Sequence, residues 1–381
     1  MTKNRVFSLK VFVLCLFVIF LCSSIGTGAE KIKIGVVGPL SGGGAAYGIH
    51  QEKGVKLAAK QINQKGGIHG REIEIISVDN EGKPQTSVAV MKKLVYNDKI
   101  VAAIGSVYSS IVLADMQVTK EAKVPQITAI TSAPAITEQG NEWIFRTQIR
   151  SDYQSRILVD IAKELGVKNW AVLNQNDDYG RAAADEFLKK IETVPELKLV
   201  AHEVFQPADQ DFKAQLLKIN RAGAKGLALF AFLKPAAIVI KQARSLGMDF
   251  KVLGTDAIAV PEYIDLVGKE TAEGNIASSL FVPDNSESKV QRFNEAYKAE
   301  YGELPNKDDA LGYDAMMILI KAMEKLKPNF TTTELKDALE KIDYDGVTAR
   351  IKFDKKHDGI SEVLVVEVKN GKWVLRTKVK M

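Results

Sequence analysis

The sequence predicts an α/β protein built as two doubly wound parallel-sheet lobes joined by a multi-strand hinge. Three observations carry that prediction. Apolar runs alternate with amphipathic runs from Glu30 onward, the alternation restarts near Ser151, and no low-complexity linker separates the two sets. Alternating strands and helices imply parallel sheets with helices on both faces. A chain of roughly 350 residues beyond its leader also exceeds what one core usually supports.

Residues 1–29 read as an export leader. Lys3, Arg5 and Lys10 give a positive start, and Val11 to Leu21 is an unbroken run of eleven apolar residues. A run that short does not cross a ~30 Å hydrocarbon core as a helix. Thr27-Gly28-Ala29 then offers the small residues that a signal peptidase reads, so the mature chain is expected to begin at Glu30. The alternatives are an uncleaved anchor and lipidation at Cys22, although bulky Phe20-Leu21 stands where a lipobox wants small residues. Both cysteines, Cys15 and Cys22, fall within the leader, which excludes disulfides and thiolate chemistry from the mature chain. The formal net charge of +5 drops by three when Lys3, Arg5 and Lys10 are removed. So small a balance argues against a nucleic-acid partner.

The elements follow in order. Ile32 to Gly38 alternates and then turns continuously apolar, as a strand buried on both faces does. Val55, Ala58, Ala59 and Ile62 form a helix face that Gly66-Gly67 stops. Ile73 to Val78 is the second strand, Val88 to Tyr96 a helix, Ile100 to Ile104 the third strand, Ile111 to Ala122 a helix, and Val124 to Ile130 the fourth strand. Past Ser151, strands are expected at Trp170 to Asn174, Leu199 to Phe205, Gly226 to Ala231 and Val252 to Gly254. Helices are expected at Ala182 to Ile191, Phe212 to Ile219 and Ala236 to Leu246. Lys289 to Tyr301 and Asp309 to Lys325 read as helices, the second rich in Ala, Met, Leu and Ile and hence buried. Ile351 to Phe353, Val363 to Val368 and Trp373 to Val379 read as antiparallel strands, with Asn370-Gly371 as a hairpin turn.

The glycines from Gly38 to Gly44 suggest a dinucleotide loop, but the required G-x-G-x-x-G order fails at Tyr47, and no P-loop occurs. A permissive loop lining a cleft is the better reading. His50, His69, His202 and His357 lack metal-ligand spacing and read as solvated surface residues. Neither a metal nor a cofactor is expected, and no nucleophile–base pair argues for an enzyme. More informative clusters fall at strand C-terminal ends, where open α/β sheets bind ligands. Gly105 to Ser110, which includes Tyr108 and Ser109, follows the third strand. Thr128 to Pro134, which includes Ile130, Thr131 and Ser132, follows the fourth. Hydroxyls and helix N-terminal amides there suit a carboxylate, although simple helix capping is the bland alternative. Asn176 to Gly180 with Tyr179, and Gly254-Thr255-Asp256, offer an aromatic and an acid that can receive an ammonium group.

These residues resemble the leucine/isoleucine/valine-type periplasmic binding proteins of branched-chain amino acid ABC transporters. The markers are Ile34-Gly35 to Ser41-Gly42, Ala46-Tyr47-Gly48, the Asn63 to Gly70 stretch with Gly66-Gly67-Ile68, Asp177 to Gly180, and Tyr313-Asp314-Ala315. The resemblance implies a ligand trap of the type I periplasmic binding fold, with three crossovers near Thr147, Ser278 and Ile351. Residues 30–147 and 278–350 would form the first lobe, and residues 148–277 and 351–381 the second. By position, Ser109 and Ser132 would hold the ligand carboxylate, Ile130 would offer its carbonyl to the ammonium, and Asp256 would be that ammonium's acidic partner. Tyr47 and Tyr179 would line or cap the side-chain pocket. Three departures touch the side-chain preference: Tyr108 replaces a small residue, Asp256 is one methylene shorter than the glutamate of some members, and Leu233 stands where an aromatic is common. The resemblance implies a periplasmic monomer that hands a small-molecule ligand, an aliphatic amino acid, to a membrane permease. A short amide, urea or aromatic acid as ligand, or a ligand-presenting sensor role, is the alternative.

Overall fold

The computed structural model describes residues 30–360 and 362–380, so the expected leader over residues 1–29 lies outside the described part. Strand β1 (Ile32–Gly38) is buried almost throughout, because helices cover both faces of its sheet. A short 3₁₀ turn at Gly42–Gly44 leads into α1 (Ala45–Asn63). Next come β2 (Ile73–Asp79), α2 (Pro84–Lys92, extended by a π turn over Lys93–Asp98) and β3 (Ala102–Gly105). Then follow α3 (Ser109–Ala122), β4 (Gln126–Thr128), α4 (Ala135–Glu138) and β5 (Ile144–Arg146). The five strands form one parallel sheet in the order β2-β1-β3-β4-β5.

The pattern repeats in α5 (Ser151–Glu164), β6 (Asn169–Gln175), α6 (Asp178–Ile191), β7 (Lys198–Phe205), α7 (Lys213–Arg221) and β8 (Gly226–Phe230). It continues through α8 (Leu233–Ser245), β9 (Lys251–Gly254), α9 (Pro261–Val267), α10 (Lys269–Ala272) and β10 (Ile276–Ser279). Helices α11 (Ser288–Tyr301), α12 (Lys307–Met323) and α13 (Thr332–Leu339) then return to the first sheet, with α12 packed along α1. A two-stranded ribbon, β11 (Tyr344–Asp345) and β12 (Arg350–Ile351), precedes the hairpin of β13 (Glu362–Lys369) and β14 (Lys372–Lys380). Asn370 and Gly371 turn that hairpin with φ of 53° and 70°, the left-handed pair a two-residue turn needs. The second sheet runs β14-β13-β10-β9-β8-β6-β7, parallel except for β13 and β14.

The chain passes between the sheets after Arg146, after Ser279, and between Ile351 and Glu362. The first and third passages lie side by side. Arg146 N–H donates to the His357 carbonyl at 2.9 Å, and Gly359 N–H donates to the Arg146 carbonyl at 3.0 Å. The fully buried Arg146 guanidinium joins Asp358 (Nε to Oδ1, 2.7 Å), the Ala133 carbonyl (2.6 Å) and Thr137 Oγ1 (2.7 Å). Each nitrogen of the Arg146 guanidinium therefore has an acceptor, as a buried charge requires.

Two boundaries differ from expectation in ways that matter to the site. Helix α3 starts at Ser109 rather than Ile111, which puts Ser109 in its first turn. Strand β4 ends at Thr128 rather than Ile130. There the Thr128 and Thr131 hydroxyls bond each other across a bend, and the freed backbone turns Ile130 into the cleft.

Candidate functional site

Seven of the eight expected residues, all but Tyr108, line one cavity between the lobes: Tyr47, Ser109, Ile130, Thr131, Ser132, Tyr179 and Asp256. From the first sheet, Ser109 and Ser132 sit at the ends of adjacent strands β3 and β4, both buried. Ser109 does not cap its own helix; its Oγ accepts instead from the Ala133 N–H at 3.3 Å. The hydroxyls and the positive end of α3 form an uncharged cradle for an anion. Thr131 is spent internally on Thr128.

The second lobe supplies Tyr179 in the first turn of α6 and Asp256 just beyond β9. Asp177 turns out to be the ordinary cap of α6, accepting from Gly180 N–H at 2.7 Å. Tyr179 Oη bonds Thr255 Oγ1, which fixes the ring beside Asp256. Tyr47 spans the cleft: its hydroxyl donates to the Ala257 carbonyl and accepts from Leu233 N–H, both at 2.8 Å. The free space among these side chains is about 10 Å³, roughly what one water needs. The cleft is therefore described shut.

Tyr108 is the expected residue that lies outside this cavity. Its backbone is extended where it precedes Ser109, so neighbouring side chains face opposite ways. Ser109 turns inward while the Tyr108 ring packs edge-on against Phe232, with centroids 4.7 Å apart. Tyr108 thus lines a second, outer cavity of about 300 Å³, which Gly43 of the glycine turn and Phe232 also line. Phe232 also answers the apparent lack of an aromatic at Leu233: it stands one residue earlier, in the cavity wall, 4.9 Å from the Tyr179 ring.

Sequence reasoning missed Lys307 and Gln148. Lys307, the first residue of α12, is wholly buried and lines the cavity. Its Nζ contacts Asp308 Oδ1 directly and lies 3.4 Å from Asp256 Oδ2. Gln148 Nε2 donates to the same Asp256 oxygen at 3.0 Å. Burial opposes the charge on Lys307, but attraction to Asp308 and Asp256 outweighs it and raises its pKa. Burial pushes Asp308 up to about 6 against the pull of Lys307.

Two histidines depart from the surface reading. His357 is buried, stacked on Phe145, with Nδ1 3.0 Å from the Ile144 carbonyl. His50 is paired with two carboxylates. Among the described residues no group of three His, Cys, Asp or Glu is placed to hold a metal ion, and no helix is long and apolar enough to cross a membrane.

Two α/β lobes that bring polar and aromatic groups to one shared cleft define a ligand-clasping, two-lobed class of protein. The chain belongs to the periplasmic binding protein family, whose model matches residues 31–372. A leucine-, isoleucine-, valine-, threonine- and alanine-binding protein of Pseudomonas aeruginosa is 28% identical over 337 residues, covering 88% of this chain and 89% of that protein. The LivJ substrate-binding protein of a branched-chain amino acid transporter from Streptococcus pneumoniae, solved with isoleucine, superposes with a TM-score of 0.86 at 28% identity. That alignment covers 92% of this chain and 100% of LivJ. A solute-binding protein of an ABC transporter from R. palustris, in complex with benzoate, superposes at 0.83 with 21% identity over 91% of this chain and 96% of its own, a likeness of fold.

Proposed function

We propose that the protein captures an aliphatic α-amino acid, branched-chain or smaller, between its lobes in the periplasm and delivers it to the permease of an ABC transporter. One observation carries this reading: an uncharged hydroxyl cradle at Ser109 and Ser132 shares a cavity with Asp256 and Lys307, and that one buried cation is divided between two buried carboxylates, Asp256 in the cavity wall and Asp308 behind it. A zwitterion answers both features, placing its carboxylate on the cradle and its ammonium on the surplus negative charge. A bare carboxylic acid would add an anion to a site already short of cations, which is costly out of water. Relatives that serve transport support capture rather than catalysis.

A second reading, an aromatic acid, draws on the rings of Tyr47, Tyr179 and Phe232 and on the ammonium of Lys307. A thermal-shift screen of the twenty amino acids, simple amides and benzoate separates the two. A ligand at 100 times its Kd stabilises by about 2.7 kcal/mol, enough to move a melting curve visibly. The proposal expects leucine, isoleucine, valine or alanine to raise Tm and benzoate to leave it unchanged. Stabilisation by benzoate with no response to any amino acid would overturn it.

A further inference from the structure

Outside the ligand cavity, three ionisable side chains form a chain across the cleft. His50 stands on α1 of the first lobe, and its Nδ1 meets Asp309 Oδ2 on α12 at 2.9 Å. Its Nε2 meets Glu262 Oε1 at 2.9 Å on α9 of the second lobe. Asp309 is wholly buried and anchored from behind by the Tyr297 hydroxyl and by the Asn306 N–H at 2.8 Å. His50 is only 17% exposed and neither it nor Glu262 lines the cavity.

We propose that His50 and Glu262 form a latch that sets affinity by holding the cleft shut, without reading the ligand. This rests on the reading that the lobes part and close around a captured solute. The Asp309 half of the chain lies within one lobe and survives opening, whereas the Glu262 half exists only when the lobes meet. Burial opposes a charged imidazole here, but hydrogen bonds with Asp309 and Glu262 outweigh it and raise the His50 pKa to about 10. Both ring nitrogens therefore donate at neutral pH. The same bond outweighs burial at Glu262 and holds its carboxyl below the usual range. Glu262 Oε2, by contrast, is buried without a partner in the shut cleft, a cost that keeps closure reversible.

A contact made only in the shut state multiplies the shut population, and apparent affinity scales with that population. Removing the latch therefore weakens every ligand by a common factor, whereas removing a ligand contact changes the ranking of ligands. Residues 30–381 contain no cysteine, so in a protein made from Glu30 onward Glu81→Cys and Ala208→Cys, exposed positions beside the Gly82 and Pro207 that line the outer cavity from opposite lobes, give a clean pair for fluorescent labels. In this background His50→Gln and Glu262→Gln are each expected to shift the ligand-free distance distribution toward the open form. Each is also expected to weaken leucine and alanine by the same factor, roughly fivefold, through a faster off-rate, and the double variant to go no further than the worse single one. Glu262→Gln guards against a folding defect at buried Asp309. An unchanged distance distribution in Glu262→Gln, or a change in the leucine-to-alanine preference, overturns the latch. If neither amino acid binds the parent protein, the proposed ligand class fails while the ligand-free distances still decide the latch.

Discussion

At Asp256 both observed donors converge on one oxygen: Gln148 at 3.0 Å and Lys307 at 3.4 Å, each to Oδ2. On the proposed reading Oδ1 is left to receive a ligand ammonium, and Asp256→Asn should cost about 2–3 kcal/mol of binding, roughly 30- to 150-fold. The figure sits low in the range for a truncated buried pair because Lys307 keeps Asp308 as its main partner in the variant. Calorimetry with the best ligand from the screen checks this; a loss below threefold on folded protein means that the ammonium is read elsewhere. Asp256, Tyr179, Ser109 and Ser132 were legible in the sequence because each follows a strand, and strand ends in a doubly wound sheet face the cleft. Lys307 was not, since a lysine ahead of Asp308 and Asp309 reads as the solvated start of a helix. Its burial is decided by where α12 packs, and the only local signal was Asn306 opening a capping box onto a strongly apolar helix. His50 was lost the same way: no residue near it in sequence announces Asp309 or Glu262.

Helix α12 reaches the cleft because it lies unusually close to α1. A Cβ on Gly312 would sit 2.2 Å from the Gln51 carbonyl oxygen, and one on Gly54 would sit 1.9 Å from the Asp309 carbonyl oxygen. Both obstacles are backbone, so an alanine can enter only by pushing the helices apart, at a cost of about 1–3 kcal/mol or more. The same shift would move Tyr47 and His50 on α1 away from Lys307 and Asp309 on α12. Gly312→Ala is thus expected to lower Tm by roughly 3–10 °C and to weaken ligand binding together. Gly43→Ala, where a Cβ meets nothing within 4 Å, serves as the control. A Gly312→Ala protein with unchanged Tm and Kd would show that the close crossing does not hold the site. Strands β1, β2, β3, β6 and β8 were legible from their apolar runs, since both faces of each sheet are covered. Helix α9 was not, being one short segment opened by Pro261, and α13 was overlooked although Thr331 and Glu334 spell its capping box.

Across the whole molecule, the connections and the contacts at the cleft argue for a single motion. Three passages link the sheets, and the Arg146–Asp358 pair binds the first to the third, which couples those two passages in any bending of the hinge. Opposite that hinge, the lobes meet through three polar contacts, Tyr47 to Ala257, Lys307 to Asp256 and His50 to Glu262, and through the edge-on packing of Tyr47 and Tyr108 on Phe232. Such contacts can be exchanged for water at modest cost, unlike a broad apolar interface. With about 10 Å³ free in the shut cavity, a solute the size of an amino acid would have to enter with the lobes parted. On the proposed reading it would touch Ser109 and Ser132 on one side and Tyr179 and Asp256 on the other, contacts that no open form offers together. Such a ligand would bind the shut state far better than the open one, which is the condition for driving closure. Small-angle scattering should accordingly give a smaller radius of gyration at ligand saturation than without ligand. Equal radii, with binding confirmed by calorimetry on the same sample, would mean that the solute enters a cleft already shut, by local side-chain movement at Tyr47 and Phe232 rather than by a hinge.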